Sequence, residues 1–352
     1  MRDYDFSKPL ILGEHSLGPG ERATIQMPVG HLITHEMVEL TMHVRRGKKK
    51  GPRLLVTAAV HGDEINGVEV IRRLLALRMR NLSGDLLLIP IVNLPAFLAR
   101  SRYLPDRRDL NRLFPGSSSG SFGARLAKIL THNISNQCTH GIDLHTGAVN
   151  RPNLPQIRFS DDVPGSKDIA KAFGAPVMIS SPVRSGSFRD VFTRHNKTQL
   201  MFEGGEAETL EPASVRIAFQ GVLSVMRYLG MLPPVKRSEN RPSPVVCKET
   251  RWERAPRGGL FLPSVSLGKI VTQGMILGEI GDPFSTKTIP VVAHADGVII
   301  GRAKNAVIDE GDGIVHIGLT NRPDRVADNI EAAEAKMDHS LDHPVFDEAF
   351  DD

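Results

Sequence analysis

Cysteine is scarce: Cys138 and Cys247 are the only two in 352 residues. They lie far apart and neither belongs to a C-x-x-C pair, which excludes a thiolate zinc site and a disulfide framework and fits a reducing compartment. Long apolar runs are missing as well. No stretch approaches the ~18 apolar residues of a membrane-spanning helix. The opening MRDYDFSKPLILGEH has no apolar signal region, so a cytoplasmic location with no membrane partner is expected. Charge is nearly balanced, with Lys+Arg 44 against Asp+Glu 40 and a formal excess of +4. That is too little to point to nucleic acid, whose binders concentrate basic residues on one face. Hydrophobic residues at 40% and charged residues at 24% exclude a disordered or collagen-like chain. The length exceeds what one compact core fills, so a catalytic-size domain plus a smaller one is expected.

The pattern along the chain alternates between strand and helix. His35–Val44 alternates apolar and polar residues, and Leu54–Val60 is an apolar run of the kind buried on both faces of a parallel sheet. The basic run Arg45–Lys50 between them reads as a solvated hairpin loop. Ile65–Arg80 has apolar residues at helical spacing, and Asp85–Ile91 is a further buried strand. Helices are expected over Phe122–Ile134, Ser166–Phe173 and Ala213–Leu229, with a helical turn at Arg189–Thr193. Strands are expected at Gly141–Leu144, Pro176–Ile179 and Gln199–Phe202. This order predicts an α/β domain over residues 1–230, built on a mixed, mostly parallel sheet flanked by helices, with its active site at the carboxyl ends of the strands. Residues 231–244 carry four prolines and read as a linker. Residues 245–321 are strand-rich and punctuated by glycine, which predicts a small β barrel. Residues 322–352 form an acidic tail.

Four segments hold residue types with chemical potential. In Val60-His61-Gly62-Asp63-Glu64, an imidazole and a carboxylate stand three apart where a strand gives way to a helix. Such donors can hold Zn²⁺ with a position left for water, although acidic residues also simply suit a helix N-terminus. Asp143-Leu144-His145-Thr146-Gly147 ends another strand; His145 can supply a third ligand, with Asp143 on the same face to orient it. The loop Arg102–Gly116 is rich in arginine, which binds carboxylates and stabilises oxyanions. Glu203 ends the apolar run Leu200-Met201-Phe202 before two glycines, where it can serve as a general base; Glu206 is its rival and is expected to be held less firmly. Gly116-Ser117-Ser118-Ser119-Gly120 matches a serine-nucleophile pattern only in letters, since Phe114-Pro115 stands where a strand is required.

Taken in order over Leu54–Leu229, HGDE, R-Y…DLNRLFPG, DLHTG and FEGGE resemble the succinylglutamate desuccinylase/aspartoacylase family, relatives of the zinc carboxypeptidases. The resemblance implies a carboxypeptidase-like fold and one zinc per chain held by His61, Glu64 and His145, with Glu203 as base and acid. It implies that Arg102 polarises the scissile carbonyl and that Asn111 and Arg112 hold the substrate carboxylate, with Arg189 a further pocket residue. The stretch from Arg102 to Asn111 is slightly long for the family, so Arg107 or Arg108 could take the part of Arg102. The Gly-Gly after Glu203 makes the chain look more like the bacterial deacylases of the family, including the N-acetyl-diaminobutyrate type. Residues 258–284 resemble a lipoyl/biotinyl-like barrel that lacks its tip lysine, Asp282-Pro283-Phe284 standing there instead. No prosthetic group is expected on it, and it is expected to bear on substrate range more than on the chemical step. The implied activity is zinc-dependent hydrolysis of the amide bond of a small N-acyl amino acid. A peptide-cleaving zinc carboxypeptidase and a non-catalytic binding protein are the alternatives; a homo-oligomer is open.

Overall fold

The computed structural model describes residues 6–235 and 244–320. A hairpin, β1 (Leu10–Leu12) and β2 (His15–Leu17), precedes β3 (Arg22–His31), β4 (Met37–Arg46) and β5 (Lys49–Ala58). Then come α1 (Asn66–Ala76), β6 (Ser83–Ile89), α2 (Leu94–Leu98), α3 (Phe122–Ile129), β7 (His140–Gly147) and β8 (Asn153–Phe159). The unit closes with α4 (Ser166–Phe173), β9 (Val177–Ser180), α5 (Phe188–Thr193), β10 (Thr198–Glu206) and α6 (Pro212–Tyr228).

Strands β6, β5, β7 and β10 run parallel side by side at the centre of one large sheet. On one side β4 and β3 join antiparallel; on the other, β8 does. The sheet is therefore mixed, and its parallel part is the centre that the apolar runs announced. Both faces of β5 are covered. Leu54, Val56 and Ala58 pack in the cluster that holds α1, α4 and α6, whereas Leu55 joins Leu126, Phe188 and Phe192 on the opposite face. That double burial is why the run is apolar throughout rather than alternating.

The basic run Arg45–Lys50 is solvated only in its second half: Lys48, Lys49 and Lys50 are exposed, as expected, but Arg45 and Arg46 are not. Arg45 extends its guanidinium over the end of α1 and donates to the carbonyls of Leu74, Leu75 and Leu77, in the last turn where helix carbonyls run short of N–H donors. Arg46 is buried, with Nε 3.2 Å from Asp85 Oδ1; Arg53 reaches the other oxygen of Asp85 at 2.8 Å. A sequence of positive charges hid one helix cap and one buried ion-pair cluster.

Beyond residue 244, β11 (Val245–Cys247), β12 (Glu249–Arg254), β13 (Gly259–Pro263), β14 (Ile270–Val271) and β15 (Ile276–Gly281) are followed by β16 (Thr288–Val292), β17 (Gly297–Arg302), β18 (Val307–Ile308) and β19 (Gly313–Leu319). These strands divide between two sheets. β17, β19 and β12 continue the large sheet past β8, and β11 pairs with β9. β16, β15, β13 and β18 form a separate antiparallel sheet with open edges. Phe261, Ile280, Val291, Ile299, Val315 and Ile317 fill the space between the two. The acidic tail and the middle of the proline-rich stretch lie outside the described residues. Among the described residues no helix is long and apolar enough to cross a membrane.

Candidate active site

His61 and His145 reach one point from the ends of neighbouring parallel strands. After β5 the chain turns at Ala59, whose φ of 51° is costly for a residue with a side chain. Asn93 holds the turn by donating to Val60 O at 3.2 Å. Gly62 follows because the backbone of α2 lies against it: a Cβ there would come within 2.3 Å of Ala96 and Phe97 main-chain atoms. The turn delivers His61 and Glu64 to one side of α1. His145 arrives along β7, with Asp143 two residues back on the same face.

All three candidate ligands are buried, and one donor atom from each lies within 4.8 Å of the others. Glu64 bridges the imidazoles, with Oε1 2.7 Å from His61 Nδ1 and Oε2 2.7 Å from His145 Nδ1. Each imidazole turns its other nitrogen to a second carboxylate. His145 Nε2 is 2.8 Å from Asp143, which in turn accepts from Thr57 Oγ1 at 2.6 Å; His61 Nε2 is 3.1 Å from Asp109. Burial opposes charge on both histidines, yet the carboxylates outweigh it: Glu64 and Asp109 raise the pKa of His61, and Asp143 and Glu64 raise that of His145. Burial likewise opposes charge on Glu64, and the imidazoles still hold its carboxyl below the usual range. Two imidazoles and a carboxylate, with further carboxylates on the far ring nitrogens, form a donor set suited to a divalent cation.

Arg102 lies against this cluster, its Nη1 3.1 Å from Glu64 Oε1 and its Nη2 3.2 Å from Asp109 Oδ2. Arg107 and Arg108 are exposed, and Arg108 pairs with Asp106, so Arg102 is the arginine of this loop that meets the ligand set. Asn111 is buried and its Oδ1 accepts from Phe188 N at 2.8 Å, tying the loop to α5. Arg112 is exposed, and one guanidinium nitrogen lies 3.9 Å from Asp109. Arg189 on α5 is buried; it donates to Ser181 and Pro182 carbonyls, and its Nη1 has no partner among the described residues. Burial, then repulsion by Arg158, push its pKa down to about 10, with Glu203 opposing.

Glu203 is the register partner of His145 on the neighbouring strand, so both present side chains on one face of the sheet. It is partly buried and accepts from Asn153 Nδ2 at 2.7 Å and Arg158 Nη2 at 3.2 Å. The two glycines after it serve a sharp change of course. Gly205 has φ +79°, and a Cβ there would meet Asn66 at 2.6 Å and Glu211 at 2.8 Å. Glu206, expected to be the looser acid, is the more buried of the two: Asn150 N and Lys304 Nζ each donate to it at 2.8 Å. Lys304 comes from the C-terminal segment, a partner no local reading of FEGGE could supply.

Asp109, Asn153 and Arg158 surround the site and were not picked out from sequence. Asp109 was visible inside the DLNRLFPG stretch, but a carboxylate among arginines reads as solvated surface. Ser118 lies in an exposed turn with no strand before it, which disposes of the serine-nucleophile pattern.

Comparison with known proteins agrees with this geometry. The family model for the succinylglutamate desuccinylase/aspartoacylase catalytic domain matches residues 50–229. The N-alpha-acetyl-L-2,4-diaminobutyric acid deacetylase of Halomonas elongata is 29% identical over 294 residues, 80% of this chain and 85% of that protein. A succinylglutamate desuccinylase/aspartoacylase from Rhodobacter sphaeroides superposes with a TM-score of 0.77 at 26% identity, covering 85% of this chain and 95% of that one. The product-bound ectoine utilization protein EutE (DoeB) from Ruegeria pomeroyi has the same fold, with a TM-score of 0.77 at 24% identity over 89% of this chain and 99% of that one. With the catalytic-domain match spanning more than half of the 352 residues, the chain belongs to the succinylglutamate desuccinylase/aspartoacylase family.

Proposed function

We propose that this protein is a zinc-dependent amidohydrolase that removes the acyl group from a small N-acyl amino acid. The observation that supports this best is the convergence of His61, Glu64 and His145, with Glu203 beside His145 in the sheet. The name of the Halomonas elongata relative favours N-acetylated diaminobutyrate as the first substrate to try.

In this reading His61, Glu64 and His145 hold one zinc ion. When bound, zinc supplies a Lewis acid and lowers the pKa of water to about 7. Glu203 accepts the proton of the water that attacks the amide carbonyl and returns it to the departing amine. Arg102 donates to the oxygen that becomes negative, while Asn111 and Arg112 orient the substrate carboxylate; Arg189 lines the far side of the pocket. Asp143 and Asp109 fix the ring orientation of the two histidines through their far nitrogens.

Residues 1–230 are proposed as the catalytic domain and residues 245–321 as a smaller barrel-like domain that borders it. A cytoplasmic location fits the two cysteines, both free and buried, whose thiols burial pushes up to about 12. The test is turnover by zinc-loaded protein of a panel containing N-acyl amino acids and dipeptides. Release of the free amino acid from N-acyl substrates is expected. Cleavage of dipeptides with none of the N-acyl amino acids would assign the protein to the carboxypeptidases instead.

A further inference from the structure

The carboxylate of Glu203 is held from outside its own strand. Both donors, Asn153 Nδ2 and Arg158 Nη2, approach the same oxygen, Oε2. Asn153 opens β8 where the pairing of β8 with β10 shifts register, between Glu203 and Gly205. Such an irregularity re-aims the side chains beside it.

The C-terminal segment meets the chain at this point. Gly301 of β17 is the register partner of Asn153. The contact continues outward, with Arg302 N donating to Pro152 O and Lys304 N to Asn150 O. Lys304 Nζ then reaches Glu206 Oε2. Gly301 has to be small: a Cβ there would lie 2.8 Å from Asn153 Oδ1 and 3.4 Å from His316 Cβ. The amide that steadies Glu203 therefore has its place set by the backbone of a strand roughly 150 residues further along the chain.

We propose that Asn153 is a positioning residue for Glu203 and that β17, through the close approach of Gly301, fixes Asn153. The C-terminal segment then acts on the chemical step, in contrast to the expectation that it bears mainly on substrate range. Anchoring Oε2 leaves Oε1 as the oxygen that carries the proton, and a base must be held to a fraction of an ångström to work at full rate. Asn153 has this role only if Glu203 is the base, as proposed above.

The test compares Asn153→Ala, Gly301→Ala and the double variant in the full-length, zinc-loaded protein. Each single change is expected to lower kcat by on the order of 10- to 10²-fold, the usual cost of a misplaced group, with KM and zinc content little changed. In the Asn153→Ala background, Gly301→Ala should add nothing, because its effect passes through Asn153. A change in KM alone, or full additivity of the two losses, overturns the proposal. Crystal structures of the variants supply a readout that needs no substrate. The Glu203 carboxylate should leave its wild-type place in Asn153→Ala, and a carboxylate unmoved there overturns the positioning role. If Gly301→Ala does not fold, Asn153→Ala still decides that role by the same two measurements. Should the wild type turn over no N-acyl amino acid, the proposed function fails, and the crystal structures still decide whether Asn153 positions Glu203.

Discussion

Asp143 and His145 are joined through the ring nitrogen that faces away from the candidate metal site: a carboxylate oxygen of Asp143 lies 2.8 Å from His145 Nε2, and Nδ1 is thereby left facing Glu64. Asp143 is itself fixed by Thr57 from the adjacent strand. Asp143→Asn keeps the shape of the side chain but removes the charge that favours this orientation. Zinc affinity should fall about 10- to 100-fold, the usual effect of losing such an outer partner. Competition with a chromophoric chelator measures it, and unchanged affinity would remove Asp143 from the metal site.

Asp85 is fully buried between Arg46 and Arg53. Removing the acid leaves two buried guanidinium groups without their anion. Asp85→Ala should therefore cost about 3–5 kcal/mol of stability, the range for breaking a buried pair from one side. Urea unfolding at neutral pH gives the value. A loss under about 1 kcal/mol, typical of surface ion pairs, would mean that water reaches the cluster.

His316 is buried, and its ring stacks on Trp252 with centroids 4.4 Å apart. Burial first, and then the charge of Arg158, push its pKa down from 6.5 to about 3. The unfolded chain takes up a proton on this residue below pH 6.5, whereas the folded protein does not until about pH 3. The stability contributed by the neutral ring is therefore complete above pH 6.5 and is lost as pH falls toward 3, at up to about 1.4 kcal/mol per pH unit. His316→Gln should flatten the pH dependence of unfolding by one proton in that window. Parallel stability curves for the two proteins between pH 6 and 4 would contradict it.

What could be read from the sequence was whatever depends on neighbours in the chain. The helix over Ser166–Phe173 was expected at the ends it has, because its apolar spacing and the flanking glycines are local signals. His61, Glu64 and His145 were found because each sits beside a strand end or helix start with its own periodicity. β8 was missed: Pro152 and Pro155 break its pattern, and the strand accommodates Pro155 at the register shift opposite Glu203–Gly205. With β8 went Asn153 and Arg158, the two donors to Glu203. Arg46 and Lys304 were out of reach for the same reason, since their partners Asp85 and Glu206 are 39 and 98 residues away.

Glu203→Gln in zinc-loaded protein is the most direct measurement, with zinc content and kcat determined on the same preparation. Deacylation through Glu203 requires near-stoichiometric zinc, as in the wild type, and a kcat lower by on the order of 10²- to 10⁴-fold. Glu206→Gln, which weakens the contact with Lys304, should lower the melting temperature and cost far less turnover. A large loss at full zinc in Glu206→Gln, with Glu203→Gln close to wild type, would contradict the assignment of the base.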